Sequence, residues 1–269
     1  VSMTAQEHLK AGDPAAALAA LQDEVRKDPS NAKLRIFLFQ LLCVLGDWKR
    51  AVTQLKLSAD MDSAATTMAQ AYREAIICEV YRDKVFKGEK EPLIFGEPEE
   101  WLALLIQAQK ALAAGKPEQA AETRAKAFDA APAIGGTLNE KRFDWIADAD
   151  MRLGPVLEVI VNGRYFWMPF SKIDTLELEE PADLRDAVWM AGTLTPKDGG
   201  ALAVLVPTRY PGSAEAGGLT ALARSTDWVD LGAESFGGLG QRVLATDQDD
   251  VALMDLRLLK MDGSTSGDG

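Results

Sequence analysis

Residues 143–170 read FDWIADADMRLGPVLEVIVNGRYFWMPF, and this stretch decides the fold. Asp148, Asp150 and Arg152 are polar punctuation, and Leu153-Gly154-Pro155 breaks any helix. A strand starts after the break, with Leu157, Val159 and Val161 on one face and Val156, Glu158 and Ile160 on the other. Asn162-Gly163 is the preferred two-residue hairpin turn, because both positions tolerate positive φ. Arg164 to Met168 supplies the returning strand, stopped by Pro169.

Upstream of this stretch the periodicity is helical, and three segments match one another. They are AGDPAAALAALQDEVRKDP from Ala11, LGDWKRAVTQLKLSADMDS from Leu45 and AGKPEQAAETRAKAFDAAP from Ala114. Gly12 and Gly46 are 34 residues apart, and Gly46 and Gly115 are 69 apart, close to two periods. A period of about 34 is that of tetratricopeptide repeats. Five residues past each Gly stands Ala17, Ala51 or Ala120, where two helices approach closely; seventeen past it stands Pro29, Ser63 or Pro132, where the second helix stops. Asp13 and Asp47 are expected to cap the following helices, and Pro14 and Pro117 suit a first turn. One longer helix is expected from about Ala64 to Phe86, with Met68, Ala71, Tyr72, Ala75, Ile76 and Val80 on its apolar side. The small residue expected seven before each repeat Gly is present at Ala108 but replaced by Phe39, so the units are tetratricopeptide-like. Such helix pairs leave a concave face that suits a peptide or helix.

Downstream the pattern is mostly antiparallel strands. The expected strands are 156–161, 165–168, 175–178, 188–194, 201–207 and 243–246, with 251–259 a strand or a helix. Short helical turns are expected at 171–173 and 182–185, a hairpin turn at 197–200, and a small-residue loop at 211–218. The fold class is therefore α+β in two parts: an all-α tetratricopeptide-like superhelix over 1–150, then a mostly antiparallel α+β domain over 151–262. Residues 263–269 have little apolar content and read as a disordered tail.

Composition narrows the function. The net charge of −12 disfavours nucleic acid, which is bound through cations on phosphate. Residues 1–150 carry 19 basic and 23 acidic side chains and the remainder 10 and 18, so the second part is the more acidic. No run is apolar enough for a membrane span, and no cationic apolar leader opens the chain, which points to a protein acting in the cytoplasm where it is made. Val1 and Ser2 precede a Met3 that reads as the natural start. Cys43 and Cys78 sit in apolar helical surroundings and read as buried thiols. His8 is the single histidine, which leaves little material for a catalytic triad or a zinc site, and no cofactor is expected.

Candidate chemistry reduces to carboxylates and glycines. Asp148 and Asp150, with Asp144 one helical turn earlier, offer oxygens to a divalent cation; Arg142 and Arg152 nearby favour a charged junction between domains instead. Asp247, Asp249 and Asp250 read as a solvated turn. Gly237-Gly238-Leu239-Gly240 neither follows a clear strand nor carries a phosphate-binding Lys. Trp189 and Trp228 read as core or interface anchors; Arg185 with Asp186, Arg224 with Asp227, and Arg242 are candidate loop-fixing ion pairs.

Several of these residues carry a family resemblance. The matching parts are 142–173, Leu184-Arg185-Asp186 with Val188-Trp189, Pro207 with Tyr210-Pro211-Gly212-Ser213, Arg224 with Thr226-Asp227-Trp228, and Gly240-Gln241-Arg242. With these residues, and over essentially its whole length, the chain resembles the ImpE family, also called TagJ or SciE-type, an accessory component of type VI secretion loci. It departs from the family at Leu222-Ala223-Arg224, where a Gly more often precedes the Arg. The resemblance implies a non-enzymatic cytoplasmic adaptor that binds the N-terminal helix of the small contractile-sheath subunit, TssB. It also implies an influence on sheath assembly, or on recycling by the AAA+ ATPase ClpV. No catalytic residues come with it. On the same ground Arg185, Asp186, Trp189, Tyr210, Arg224, Asp227, Trp228 and Arg242 are candidate partner contacts, with holding the α+β domain together as the competing role. The alternatives are a tetratricopeptide-like scaffold or chaperone for another partner, and a metal-dependent enzyme built on Asp148 and Asp150.

Overall fold

The computed structural model describes residues 2–263, so the expected tail from 264 onward lies outside the described residues. The chain opens with helices α1 (Ala5–Lys10), α2 (Pro14–Lys27), α3 (Ala32–Val44), α4 (Trp48–Met61) and α5 (Thr66–Phe86). Strand β1 (Leu93–Ile94) follows, then α6 (Glu100–Ala113) and α7 (Pro117–Ala130). Gly12, Gly46 and Gly115 all have φ between +73° and +81° and close the preceding helix the same way. In each case the next residue donates its N–H back to a carbonyl five residues earlier, as Asp13 does to His8. Asp13 and Asp47 then cap α2 and α4 by accepting from Ala16 N and Arg50 N. Ala17, Ala51 and Ala120 are fully buried where the paired helices touch.

The strands that follow are β2 (Gly136–Leu138), β3 (Lys141–Phe143), β4 (Ile146–Asp148), β5 (Val156–Val161), β6 (Arg164–Pro169), β7 (Ile173–Leu178), β8 (Trp189–Pro196) and β9 (Leu202–Pro207). Two short helices, α8 (Ser213–Ala216) and α9 (Gly218–Ala221), precede the hairpin β10 (Thr226–Gly232) and β11 (Ser235–Gly240). The chain then forms β12 (Val243–Thr246), β13 (Asp250–Ala252) and β14 (Leu258–Met261). Nine strands form one sheet in the order β1-β6-β5-β9-β8-β7-β14-β2-β3, antiparallel except for β1 beside β6. A three-stranded sheet β13-β12-β4 and the two-stranded ribbon β10-β11 stand apart from it. The fold is α+β, as the sequence indicates.

Strand β5 separates two cores. Val156 and Ile160 pack with the helices, while Leu157, Val159 and Val161 join a second core with Met168, Ile173, Leu176 and Leu259. Asn162 and Gly163 turn with φ of 49° and 71°, the geometry the Asn-Gly pair implies.

Four expectations change. The helical repeats end at Ala130, and β2 and β4 already pair with strands beyond 151, so the seam lies earlier in sequence than 150/151. Asp144 stands beside strand β4, not one helical turn from Asp148. Residues 251–259 divide into β13, a single 3-10 turn and the start of β14. On α5, Ala71 and Val80 face solvent while Glu79 and Arg82 are buried, because polar partners across the seam satisfy those two.

The face of the first helices that a tetratricopeptide array would offer to a peptide is largely filled by the chain itself. All of Leu38–Val44 on α3 is buried. Trp189 of β8 sits against Trp48 and Tyr72, with ring centroids 6.1 and 5.6 Å away. Arg209 donates to Val44 O at 2.6 Å and Cys43 O at 3.2 Å, placing a cation at the C-terminus of α3.

Candidate functional site: an ionic junction and the ribbon it anchors

Helix α5 aims Glu79 and Arg82, three residues apart and hence on one helical face, at the sheet. Strand β5 answers with Glu158, the lone carboxylate in an otherwise apolar strand and itself fully buried. Arg82 Nε donates to Glu158 Oε2 at 2.5 Å and Nη2 to Oε1 at 2.9 Å, a two-pronged pair. Arg242, just before β12, donates from Nη2 to the same carboxylate at 2.5 Å and from Nη1 to Asp148. Tyr165 donates its hydroxyl to Glu158 and accepts from Trp167 Nε1 at 2.8 Å. Tyr210 donates to Asp148 Oδ1 at 2.8 Å, and Trp189 Nε1 donates to Glu79 at 3.1 Å. Each buried charge therefore meets an opposite charge or a hydrogen-bonding dipole, as burial requires.

The network sets its own ionisation. Burial pushes Glu158 up, but the two guanidinium groups outweigh it and hold the carboxyl down at about 2. Burial dominates at Asp148, with the neighbouring Asp150 adding to it, and raises that carboxyl to about 6 despite Arg242. Burial likewise lowers Arg209, whose nitrogens reach carbonyls, to about 10, and raises the free thiol of Cys78 to about 12.

Asp148 and Asp150 are junction residues. Asp150 pairs with Arg152 at 2.6 Å and accepts Gly238 N at 2.8 Å, while Asp148 holds Arg242 and Tyr210. Both carboxylates are occupied by cations of the chain, and among the described residues no group of three or more His, Cys, Asp or Glu side chains is placed to hold a metal ion. Asp247 accepts from Asp144 N at 2.7 Å, tying a turn, and Asp249 pairs with Lys141.

Through Asp150 and Tyr210 the junction fixes the β10-β11 ribbon. The Tyr210 ring lies against Gly238, where an added Cβ would stand 2.1 Å from Cε2, and Arg152 lies against Gly237 on the opposite face. The glycine run is thus a strand threaded between two side chains, not a phosphate loop. Arg124 of α7 adds a bond to Ser235 Oγ at 2.9 Å.

The eight candidate contacts separate into four environments. Trp189, Tyr210 and Arg242 are buried in the junction. Arg185 lies 4.9 Å over the Tyr72 ring and pairs with Asp183, and Asp186 accepts from Ala182 N and Asp183 N to close a 3-10 turn. Arg224 reaches across to Leu9 O at 2.5 Å, tying its loop to α1. Asp227 and Trp228 are exposed on the ribbon, where the Trp228 ring also touches Tyr210. Ala223, just before Arg224, has φ of 55°, a left-handed conformation that suits a Gly better than an Ala. Arg82, Glu79 and Glu158 were not singled out in the sequence; the signal available was a lone Glu inside the apolar run VLEVIV, which has to find a cation.

Comparison with known proteins agrees with this architecture. Residues 140–260 match the family model of ImpE protein, and residues 8–72 match a tetratricopeptide repeat model. The type VI secretion system accessory component TagJ of Pseudomonas aeruginosa is 51% identical over 260 residues, spanning 96% of this chain and 91% of that protein. The crystal structure of protein VPA1032 from Vibrio parahaemolyticus superposes with a TM-score of 0.85 at 25% identity, over 96% of this chain and 97% of that one. The ion-paired junction falls within the matched segment through Asp148, Glu158 and Arg242, and the identity extends over nearly the whole length: the chain belongs to the ImpE family.

Proposed function

We propose that this protein is a non-enzymatic accessory component of a type VI secretion system that captures the N-terminal helix of the small, TssB-like contractile-sheath subunit. By holding that helix it influences sheath assembly, or recycling by a ClpV-type AAA+ ATPase, in the cytoplasm. The observation that carries the reading is the ionic junction. The conspicuous carboxylates Asp148, Asp150 and Glu158 are each bound by an arginine of the chain, so the cluster that looks most like chemistry works as a rigid seam between helices and sheet. A rigid two-part body that presents surface and helix ends suits binding of a polypeptide. The name of the 51%-identical relative, an accessory component of type VI secretion, supports the system to which the activity belongs.

The test is a titration of the full chain with a fluorescent peptide of the sheath subunit's first helix. Saturable binding that is abolished by a proline in the middle of the peptide supports helix capture. Equal binding of the proline variant, or none of either, contradicts it.

A further inference from the structure

Three of the exposed large apolar side chains crowd onto one small element. Trp228, Val229 and Phe236 of the β10-β11 ribbon are 47, 42 and 44% exposed. The pairing register sets Trp228 opposite Gly238 and Asp230 opposite Phe236, so Trp228, Phe236 and Asp230 share one face. Gly238 brings no side chain to cover the indole, which leans on the buried Tyr210 ring 6.2 Å away. A half-exposed Trp backed by a fixed aromatic is the type of residue that dominates binding energy at interfaces.

The charge around this face has one sign. From Ser225 to Gln241 the chain carries no Lys or Arg; Asp230 shares the Trp228 face, Glu234 stands at the turn, and Asp227 lies on the other face with Val229. The cation nearest the glycines, Arg152, lies on the opposite face and is already paired with Asp150. The ribbon is also held in place before any partner arrives, by Gly238 N on Asp150, Met151 N on Phe236 O and Arg124 on Ser235. Such preorganisation reduces the ordering cost of binding.

We infer that the Trp228–Phe236 face of the ribbon is where the partner helix docks, and that this helix flanks its apolar stripe with Lys or Arg. The inference rests on the helix-capture reading above and adds the surface and the charge of the ligand. Trp228 and Phe236 receive the apolar stripe; Asp230 and Glu234 attract the flanking cations, which speeds encounter and selects register.

The experiment titrates the labelled sheath-helix peptide into full-length wild type, Trp228→Ala, Phe236→Ala, the Asp230→Asn/Glu234→Asn pair and Ile77→Ser. Ile77 is exposed on α5, beside a separate apolar groove, and serves as the comparison. The inference expects each aromatic variant to bind at least tenfold more weakly, the Asn pair to flatten the salt dependence of the wild type, and Ile77→Ser to bind unchanged. Thermal melts confirm folding; should Trp228→Ala unfold, Phe236→Ala and the Asn pair decide the matter. Wild-type binding with unaltered affinity in the folded ribbon variants, or loss only in Ile77→Ser, overturns the docking surface while leaving helix capture standing. Absence of binding by wild type overturns both. A dimer in sedimentation that Trp228→Ala converts to monomer also overturns the inference, by assigning the face to a second copy of the chain.

Discussion

Arg82 on α5 and Glu158 on β5, 76 positions apart in sequence, form a buried two-pronged ion pair with N···O distances of 2.5 and 2.9 Å. Arg242 donates to the same carboxylate, sharing Oε1 with Arg82. One glutamate thus joins the helical part, the large sheet and the segment that leads into β12.

Glu158→Gln keeps the volume and removes the charge that two buried guanidinium groups depend on. Breaking a buried pair from one side costs about 3–5 kcal/mol, so urea denaturation of this variant should show a loss in that range. Because the pair spans the seam, helix and sheet signals should move to lower urea together. A loss seen in the sheet alone would mean the halves are stable independently.

The two carboxyls give opposite pH dependences. Glu158 is held at about 2, below its ordinary 4.5, so its contribution is complete above about 4.5 and is lost as pH falls toward 2; the full effect is about 3 kcal/mol. Asp148 is raised to about 6 from 3.8, so the folded state takes up its proton more readily, and stability declines as pH rises through that window. Melting temperature plotted against pH should fall steeply on the acid side, with Asp148→Asn removing the decline between about pH 4 and 6. A decline that persists in that variant assigns it to another group.

Gly238 has Tyr210 where a side chain would be. Gly238→Ala should cost about 2 kcal/mol by overpacking and should shift the fluorescence of Trp228, which rests on the same ring. An unperturbed melt and spectrum would show that the ribbon is not seated on Tyr210.

The ribbon turns through Ala233 and Glu234, at φ of 51° and 57°, a conformation that favours Asn-Gly. Replacing the exposed pair by Asn-Gly should raise unfolding free energy by about 1 kcal/mol in chemical denaturation. A decrease would mean the turn residues make contacts that outweigh their strain.

That turn also shows what the sequence made legible. Asn162-Gly163 announced its hairpin because its residues are the ones that positive φ selects. The hairpin at Ala233-Glu234 uses the same backbone with residues that do not advertise it, and at Asn139-Glu140 only the Asn does, so β10-β11 and β2-β3 are not marked by an Asn-Gly pair. The helical repeats were legible because Gly12, Gly46 and Gly115 each perform one fixed task at one spacing. The site was less so. Asp148 and Asp150 could be read as a charged junction from the arginines beside them, but Arg242 lies 94 positions from Asp148 and Glu79 lies 110 from Trp189. Sequence spacing carries no information about pairs brought together only by the sheet. Trp189, Tyr210 and Arg242 matched the family pattern, and a match does not distinguish a side chain that holds the interior from one that meets a partner.

Helix capture is the central claim, and calorimetry of the full chain with the intact small sheath subunit tests it most directly when repeated with the subunit lacking its N-terminal helix. The account predicts a saturable heat with the intact subunit and none with the truncated one. Equal heats from both, or no heat from either, would contradict it.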